Sequence, residues 1–335
     1  MARPVTERIQ NIRNELELRL RNDPMRPGER FFSNRSVSQK YGISYQTAHR
    51  LLRALEDQGL LRRDRSSGTY VAGGITLRRV ELCFHTRARE PDSFGARLLA
   101  LVNGALQTTG LAARTTWIKG PHAVPADVYP ILWEAGGPEG VRFEGAHHFG
   151  LILNDRPPPG LRSSFLDSLS TDDYSGGAAA AELLLDRGLK PRHLAVLGGP
   201  RGDGRSDARI RGFLSVVRKV SVTHASTWFY EDGLRAAPRV LRESPRGVFC
   251  MNDRLAAALQ DFTAARSEGH KPRIVGYDDA PIALARRLTT IAIPWEEIAQ
   301  GAAMLALARI RGDTSPARAQ IFSPRPLIRW EEGIP

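Results

Sequence analysis

Cysteine is scarce in this chain: two in 335 residues, Cys83 and Cys250, far apart and each set in an apolar run. That count excludes a disulfide framework or a zinc site built on cysteines, and both are expected to be reduced core thiols. No stretch of about 18 apolar residues occurs, so no membrane span is expected. The N-terminus lacks a basic-then-apolar leader, which points to the cytoplasm. Gly-x-Ser-x-Gly is missing, which leaves a hydrolase nucleophile without an anchor. His-x-x-x-His is missing too, and the adjacent His147-His148 would face opposite sides of a strand. No metal site and no cofactor are therefore expected. Lysine is rare, with 5 against 43 arginines.

What is present is positive charge, +12 overall. Residues 1–74 hold 14 Lys/Arg against 8 Asp/Glu, so half of the excess falls in under a quarter of the chain. A small basic unit suggests a polyanionic partner, most often nucleic acid. Apolar residues at 41% and charged residues at 25% fit a soluble globular protein of about two domains.

The pattern in the basic region is specific. Val5, Ile9, Ile12, Leu16 and Leu20 mark one face of an amphipathic helix, stopped by Asn22-Asp23-Pro24. Ser33 is placed to cap a short helix to Tyr41, which Gly42 ends. Ser44 caps a third helix running to Gly59, burying Ala48, Leu51, Leu52 and Leu55. Its outer face then presents Tyr45, Gln46, His49, Arg50 and Arg53, groups fit for base edges and phosphates. Leu60 to Asp64 and Gly68 to Val71 read as a hairpin with Arg65-Ser66-Ser67 at its tip. This order is that of a helix-turn-helix with a wing.

After a boundary near Ala72-Gly73-Gly74 the rhythm becomes that of parallel sheets. Strands at 80–84, 114–118, 149–153, 193–197, 248–251 and 273–277 alternate with helices at 94–107, 177–187, 208–217, 253–265 and 295–311. Pro121 to His148 shows no clear period.

Two motifs compete for the chemistry. Gly199-Pro-Arg-Gly-Asp-Gly204-Arg205-Ser206 fits a phosphate-binding P-loop at every fixed position except Arg205, where lysine is required. It keeps a phosphate-binding enzyme as the alternative. The acid pairs Asp172-Asp173 and Asp278-Asp279 lie at strand ends, with Arg209 as a donor and Trp228 to cover an apolar face. Such groups suit a polar small molecule such as a sugar, and no activated nucleophile accompanies them. Binding is expected over catalysis.

Residues 5–72 resemble the winged helix-turn-helix of the gluconate-repressor (GntR) family. The match runs through Arg26-Pro27-Gly28-Glu29, Ser33-Asn34-Arg35, Tyr41-Gly42-Ile43-Ser44, Thr47, Gln58-Gly59-Leu60-Leu61 and Ser67-Gly68-Thr69-Tyr70-Val71. The resemblance implies that Arg35, Ser44, Thr47 and Gly68 touch DNA. Tyr45, Gln46, His49 and Arg50 on the outer face and Arg65 at the wing tip complete the expected set, with Tyr45 and His49 standing where the family commonly has arginine. Residues 80–330 resemble the effector domain of the lactose/galactose-repressor (LacI) family, similar to periplasmic sugar-binding proteins. Asp172-Asp173-Tyr174-Ser175-Gly176-Gly177, Arg209 to Phe213, Asn252-Asp253, Val275 to Asp279 and Leu288 to Ile291 carry that match. It implies that Arg209 and Asp278 hold effector hydroxyls, that Trp228 is an aromatic platform, and that Asn252 and Asp155 line the cleft.

The expectation is a multidomain chain. Residues 1–73 form a winged helix-turn-helix headpiece, and 75–335 a two-lobed α/β periplasmic-binding-protein-like domain crossed near Thr171, Pro294 and Gln320. Function follows as a cytoplasmic, homodimeric transcriptional repressor that binds double-stranded operator DNA under control of a small effector, a sugar.

Overall fold

Side-chain caps set the first helices. In the computed structural model, residues 3–22, 29–58, 60–64, 68–71, 77–90, 93–125, 127–134, 141–143, 149–154, 166–266, 270–313, 315 and 317–330 are described. Helix α1 (Arg3–Asn22) turns Ile12 and Leu16 inward. Ser33 Oγ accepts from Ser36 N and opens α2 (Asn34–Tyr41), which Gly42 closes in the left-handed region at φ 60°. Ser44 opens α3 (Tyr45–Asp57), and Ala48, Leu51, Leu52 and Leu55 are buried as the spacing predicts. The helix ends on Gln58, just short of the expected Gly59. Strands β1 (Leu61–Asp64) and β2 (Gly68–Val71) pair antiparallel. The far side of β2 bonds the segment before α2, through Phe31 N to Thr69 O and Val71 N to Glu29 O, each 2.8 Å. Phe31, Val37, Leu52 and Leu61 close a small core with α1. Gly59, the hairpin tip 65–67 and the boundary 72–74 lie outside the described residues.

The remaining elements run β3 (Arg79–His85), α4 (Phe94–Thr108), β4 (Ala113–Ile118), β5 (His122–Val124), β6 (Val128–Trp133), β7 (Val141–Phe143), β8 (Gly150–Leu153) and β9 (Leu166–Thr171). Then come α5 (Asp173–Asp186), β10 (Leu194–Gly198), α6 (Gly204–Val217), β11 (Ser221–His224), α7 (Tyr230–Val240), β12 (Gly247–Cys250), α8 (Asp253–Ala264) and β13 (Arg273–Asp278). Last are α9 (Pro281–Ala285), β14 (Thr289–Ala292), α10 (Trp295–Ile310), β15 (Ala319–Phe322) and β16 (Arg325–Leu327).

They build two six-stranded sheets. One has the order β15-β9-β8-β6-β3-β4, the other β11-β10-β12-β13-β14-β16, in which only β16 joins antiparallel. The stretch without a legible period holds β5 and β7, a parallel two-stranded sheet whose Val124 and Val141 pack with Cys83, Ile118, Leu132 and Ile152. Two helices begin a turn earlier than their apolar pattern suggests. Asp172 caps α5 from before Gly177, and Asp203 caps α6 from before Ala208.

The chain divides into two compact units: residues 1–86, 103–169 and 300–320, and residues 87–102, 170–299 and 321–335. The chain passes between these units after Thr86, Val102, Leu169, Ala299 and Gln320. Among the described residues no helix is long and apolar enough to cross a membrane.

Candidate functional site

In the second unit, α5 and α6 meet backbone to backbone. A Cβ at Gly177 would stand 1.9 Å from the Arg209 carbonyl oxygen, and one at Gly212 would stand 1.9 Å from that of Tyr174. Only glycine permits this approach, and it sets Arg209 beside the first turn of α5. Arg209 Nε donates to Asp173 Oδ1 at 2.8 Å, and Nη1 donates to the Met251 carbonyl oxygen. The guanidinium lies 3.6 Å from the centre of the Tyr277 ring, and Asp278 Oδ1 stands 3.5 Å from Nη1. Arg209 is 3% and Asp278 4% exposed.

The group is buried and incompletely bonded. Among the described residues, neither Arg209 Nη2 nor the Asp278 carboxylate makes a hydrogen bond. Burial pushes the Asp278 carboxyl up to about 7 against the pull of Arg209 and Arg205. Burial also opposes the charge on Arg209, but Asp173 and Asp278 more than offset it, and the guanidinium stays protonated. Asp278 and Asp279 both have positive φ, 104° and 55°, a conformation that costs about 1–3 kcal/mol each and persists where the surroundings enforce it. The surroundings are explicit: Trp295 Nε1 donates to Asp278 O at 2.6 Å, while Asp279 binds Arg97 at 3.0 Å and Arg329 at 2.7 Å. The acid pair thus divides its labour. Asp279 anchors the turn and Asp278 faces Arg209.

Trp228 packs against the turn after β10, where a Cβ at Gly199 would stand 2.6 Å from its ring, and Arg205 lies 5.8 Å from the ring centre. Asn252, expected to line the cleft, is engaged at both ends. Its Oδ1 caps α8 by accepting from Leu255 N at 2.8 Å, and its Nδ2 donates to the Trp228 carbonyl at 3.0 Å. It positions the Trp228 segment. Two neighbours escaped the sequence reading as site groups. Tyr277 supplies the face beneath Arg209. Asp253, fully buried, accepts from Ala280 N at 2.8 Å and Thr290 Oγ1 at 2.7 Å, and burial followed by the nearby Asp278 raises its carboxyl far above the usual range. Asp155 lies outside the described residues.

The Gly199–Ser206 loop is closed on itself. Ser206 Oγ, fully buried, accepts from Gly199 N at 3.0 Å. The Asp203 carboxylate accepts from Arg205 N at 2.9 Å and Ser206 N at 3.1 Å, taking the helix-end amides that a phosphate loop offers its ligand. Burial raises the Asp203 carboxyl, but Arg205 and these amides outweigh it and hold it below the usual carboxylate range. The match to a P-loop is a match of spacing, and two of its helix-end amides are already taken by Asp203.

The outer face of α3 is as the sequence suggests. Gln46, Arg50 and Arg53 are exposed, His49 is half-buried, and Arg35 on α2 and Ser44 are exposed. Ser44 Oγ accepts from Thr47 N at 3.1 Å and lies 2.8 Å from Thr47 Oγ1. Tyr45, 57% exposed, has its hydroxyl bonded by Asn34 Nδ2 at 3.1 Å, and Asn34 Oδ1 accepts from Arg63 Nη2 at 3.1 Å. This buried Asn34 ties α3, α2 and β1 together, a role with no sequence signal. Gly68 opens β2 at φ 129°, and Arg65 lies outside the described residues.

Residues 178–329 match the family described as periplasmic binding protein-like domain. The domain's relatives include the HTH-type transcriptional repressor PurR of Edwardsiella ictaluri, 28% identical over 178 residues, which are 49% of this chain and 51% of that one. The D-allose-binding periplasmic protein of Escherichia coli is 26% identical over 121 residues, 34% of this chain and 39% of that one. The chain spans about half the length of the PurR repressor it matches. Among solved structures, the CelR–cellobiose complex aligns with a TM-score of 0.59 at 17% identity, over 86% of this chain and 91% of that one. A LacI family regulator from Enterococcus faecium with bound ribose aligns at 0.58 and 20% identity, over 75% and 98%. At these identities the likeness concerns the fold, a two-lobed α/β domain of the LacI type.

Proposed function

We propose that the chain is a transcriptional repressor in which residues 1–73 form a winged helix-turn-helix on double-stranded operator DNA and residues 75–335 a sensor for a small polar effector, a sugar. It works as a homodimer in the cytoplasm. The observation that carries the reading is the unfilled hydrogen bonding of Arg209 on α6 and Asp278 at the end of β13, in a stretch similar to periplasmic binding protein-like domains and in a chain that also exposes Gln46, Arg50 and Arg53 on α3. A guanidinium and a carboxylate side by side are the donor and acceptor that a pair of vicinal hydroxyls requires. Trp228 supplies an apolar face for the ring. Relatives support the class: CelR was solved with cellobiose, the Enterococcus faecium regulator with ribose, and the Escherichia coli relative is named for D-allose. The matched proteins are regulators and a binding protein, and the enzymatic alternative has two of its helix-end amides occupied by Asp203.

On the DNA side, Arg35, Ser44, Tyr45, Gln46, Thr47, His49, Arg50, Arg65 and Gly68 are assigned to the interface, α3 lying in the major groove and the hairpin on the backbone. Selection from a random-site pool, followed by fluorescence anisotropy, tests this. If a dimer neutralises about six phosphates, the log–log salt slope is near −5. A flat salt response, or full specific binding after deletion of residues 1–74, would contradict it. His49→Arg is expected to change the selected site, by about 1–3 kcal/mol per base pair read.

A further inference from the structure

One group of side chains in the first unit has no part in that reading. Glu81 and Cys83 stand two residues apart on β3 and share a face of the sheet. His122 opens β5, in the small sheet that packs on Cys83 through Val124 and Val141. The ligand atoms of all three, one each from carboxylate, thiol and imidazole, lie within 4.8 Å of one another. Glu81 and Cys83 are buried. His122 Nε2 is buried as well and makes no hydrogen bond to any described residue; Glu81 Oε1 stands 3.7 Å away. Thr116 donates its hydroxyl to that same Oε1, the type of outer partner that orients a metal-ligating carboxylate.

We propose that Glu81, Cys83 and His122 bind one divalent transition-metal ion, with zinc the ion this donor set suits. A thiolate, an imidazole nitrogen and a carboxylate oxygen are the three ligand types zinc takes. Bonds of about 2.0–2.3 Å place the donors of a tetrahedron roughly 3.3–3.8 Å apart, so the group has to close by about 1 Å. Rotation of the partly exposed His122 ring and the Glu81 carboxylate supplies that movement. Water takes the fourth position. On binding, Cys83 loses its proton to solvent, and the two anionic donors balance the charge of the ion. The ion would fasten the three-residue strand β5 to β3.

The test uses the full-length chain, stripped with chelator and titrated with Co²⁺, with Zn²⁺ uptake measured by elemental analysis after gel filtration. The expected result is one ion per chain, a thiolate-to-cobalt charge-transfer band and visible bands of tetrahedral intensity. Cys83→Ser removes the charge-transfer band, and His122→Gln weakens Co²⁺ binding at least tenfold. Cys83 is fully buried, so its substitution can unfold the chain; His122 lies at the rim, and circular dichroism establishes that the H122Q chain is folded. Zn²⁺ is expected to raise the melting temperature of the wild type and not of that variant. No stoichiometric metal in the wild type, or equal Co²⁺ binding and equal thermal shift in H122Q, would overturn the site and leave a Glu81–His122 pair beside an inert thiol.

Discussion

Among the described residues two arginines are buried, one in each unit, and they are satisfied very differently. Arg309 and Asp167 are both fully enclosed and fully bonded. The fork of Arg309 meets both Asp167 oxygens at 3.0 and 2.8 Å, and Nη1 donates to the carbonyls of Asp313 and Ser315. Tyr129 and Arg318 N fill the remaining acceptor sites of Asp167. Arg209 has the same burial but keeps Nη2 unbonded, and its partner Asp278 accepts no hydrogen bond among the described residues. Burial by itself does not mark a functional charge. A saturated pair holds a fold together, and an unsaturated one, with strained backbone at Asp278, keeps hydrogen-bonding capacity that a ligand can fill.

The largest expected difference is in stability. Arg309→Met leaves the Asp167 carboxylate enclosed without its counter-charge and is expected to cost about 3–5 kcal/mol in urea unfolding. Arg209→Met should cost less, about 1–3 kcal/mol, because Asp278 can take up a proton near neutrality. Equal losses would erase the distinction between the two sites.

Ligand affinity should invert that order. Arg209→Met and Asp278→Ala are each expected to weaken the sugar found by thermal-shift screening by ten- to a hundredfold, about 1.5–3 kcal/mol, with operator affinity in its absence unchanged. Calorimetry measures this, and unaltered sugar affinity in both variants would place the cleft elsewhere.

A pH series sharpens the contrast further. A sugar hydroxyl donates to ionised Asp278, so binding competes with protonation of a group titrating at about 7. Affinity is therefore full above that pH and lost below it, by about tenfold between pH 8 and pH 6. Asp278→Asn should flatten the profile; a slope that persists in it must come from another group.

The smallest effect is expected at Asn252. Replacing it with alanine removes the cap of α8, about 1 kcal/mol, and loosens the Trp228 segment, with a change in sugar affinity of only a few-fold. A loss as large as that of Arg209→Met would return Asn252 to direct ligand contact.

What the sequence made legible follows the same division. Local signals were readable: the caps Ser33 and Ser44, the left-handed Gly42, and apolar strands such as Val80 to Phe84. Arg209 and Asp278 stand out in the sequence through the motifs Arg209 to Phe213 and Val275 to Asp279, and the structure sets the two side chains 3.5 Å apart. The saturated pair was invisible, since Asp167 and Arg309 stand far apart in sequence and Leu166–Thr171 has apolar residues only at Leu166 and Leu169, a spacing without the alternation of a strand. Strands of three residues, β5 and β7, are too short for a period to appear, which is why Glu81, Cys83 and His122 came together only in three dimensions. Helix α7 contains Pro238 and carries no helical signal, and Asp172, a ligand candidate from its sequence alone, is the N-cap of α5.

The central claim is that one small polar molecule at Arg209 and Asp278 sets the affinity of the chain for its operator. The measurement that tests it most directly is anisotropy of the selected operator with and without the sugar found by thermal shift, on the wild type and on Arg209→Met, paired with calorimetry of the sugar with and without operator DNA. The account predicts that the sugar shifts operator affinity in the wild type, that DNA shifts sugar affinity by the same factor, and that both shifts vanish in the variant. A sugar-dependent shift of equal size in Arg209→Met would contradict it.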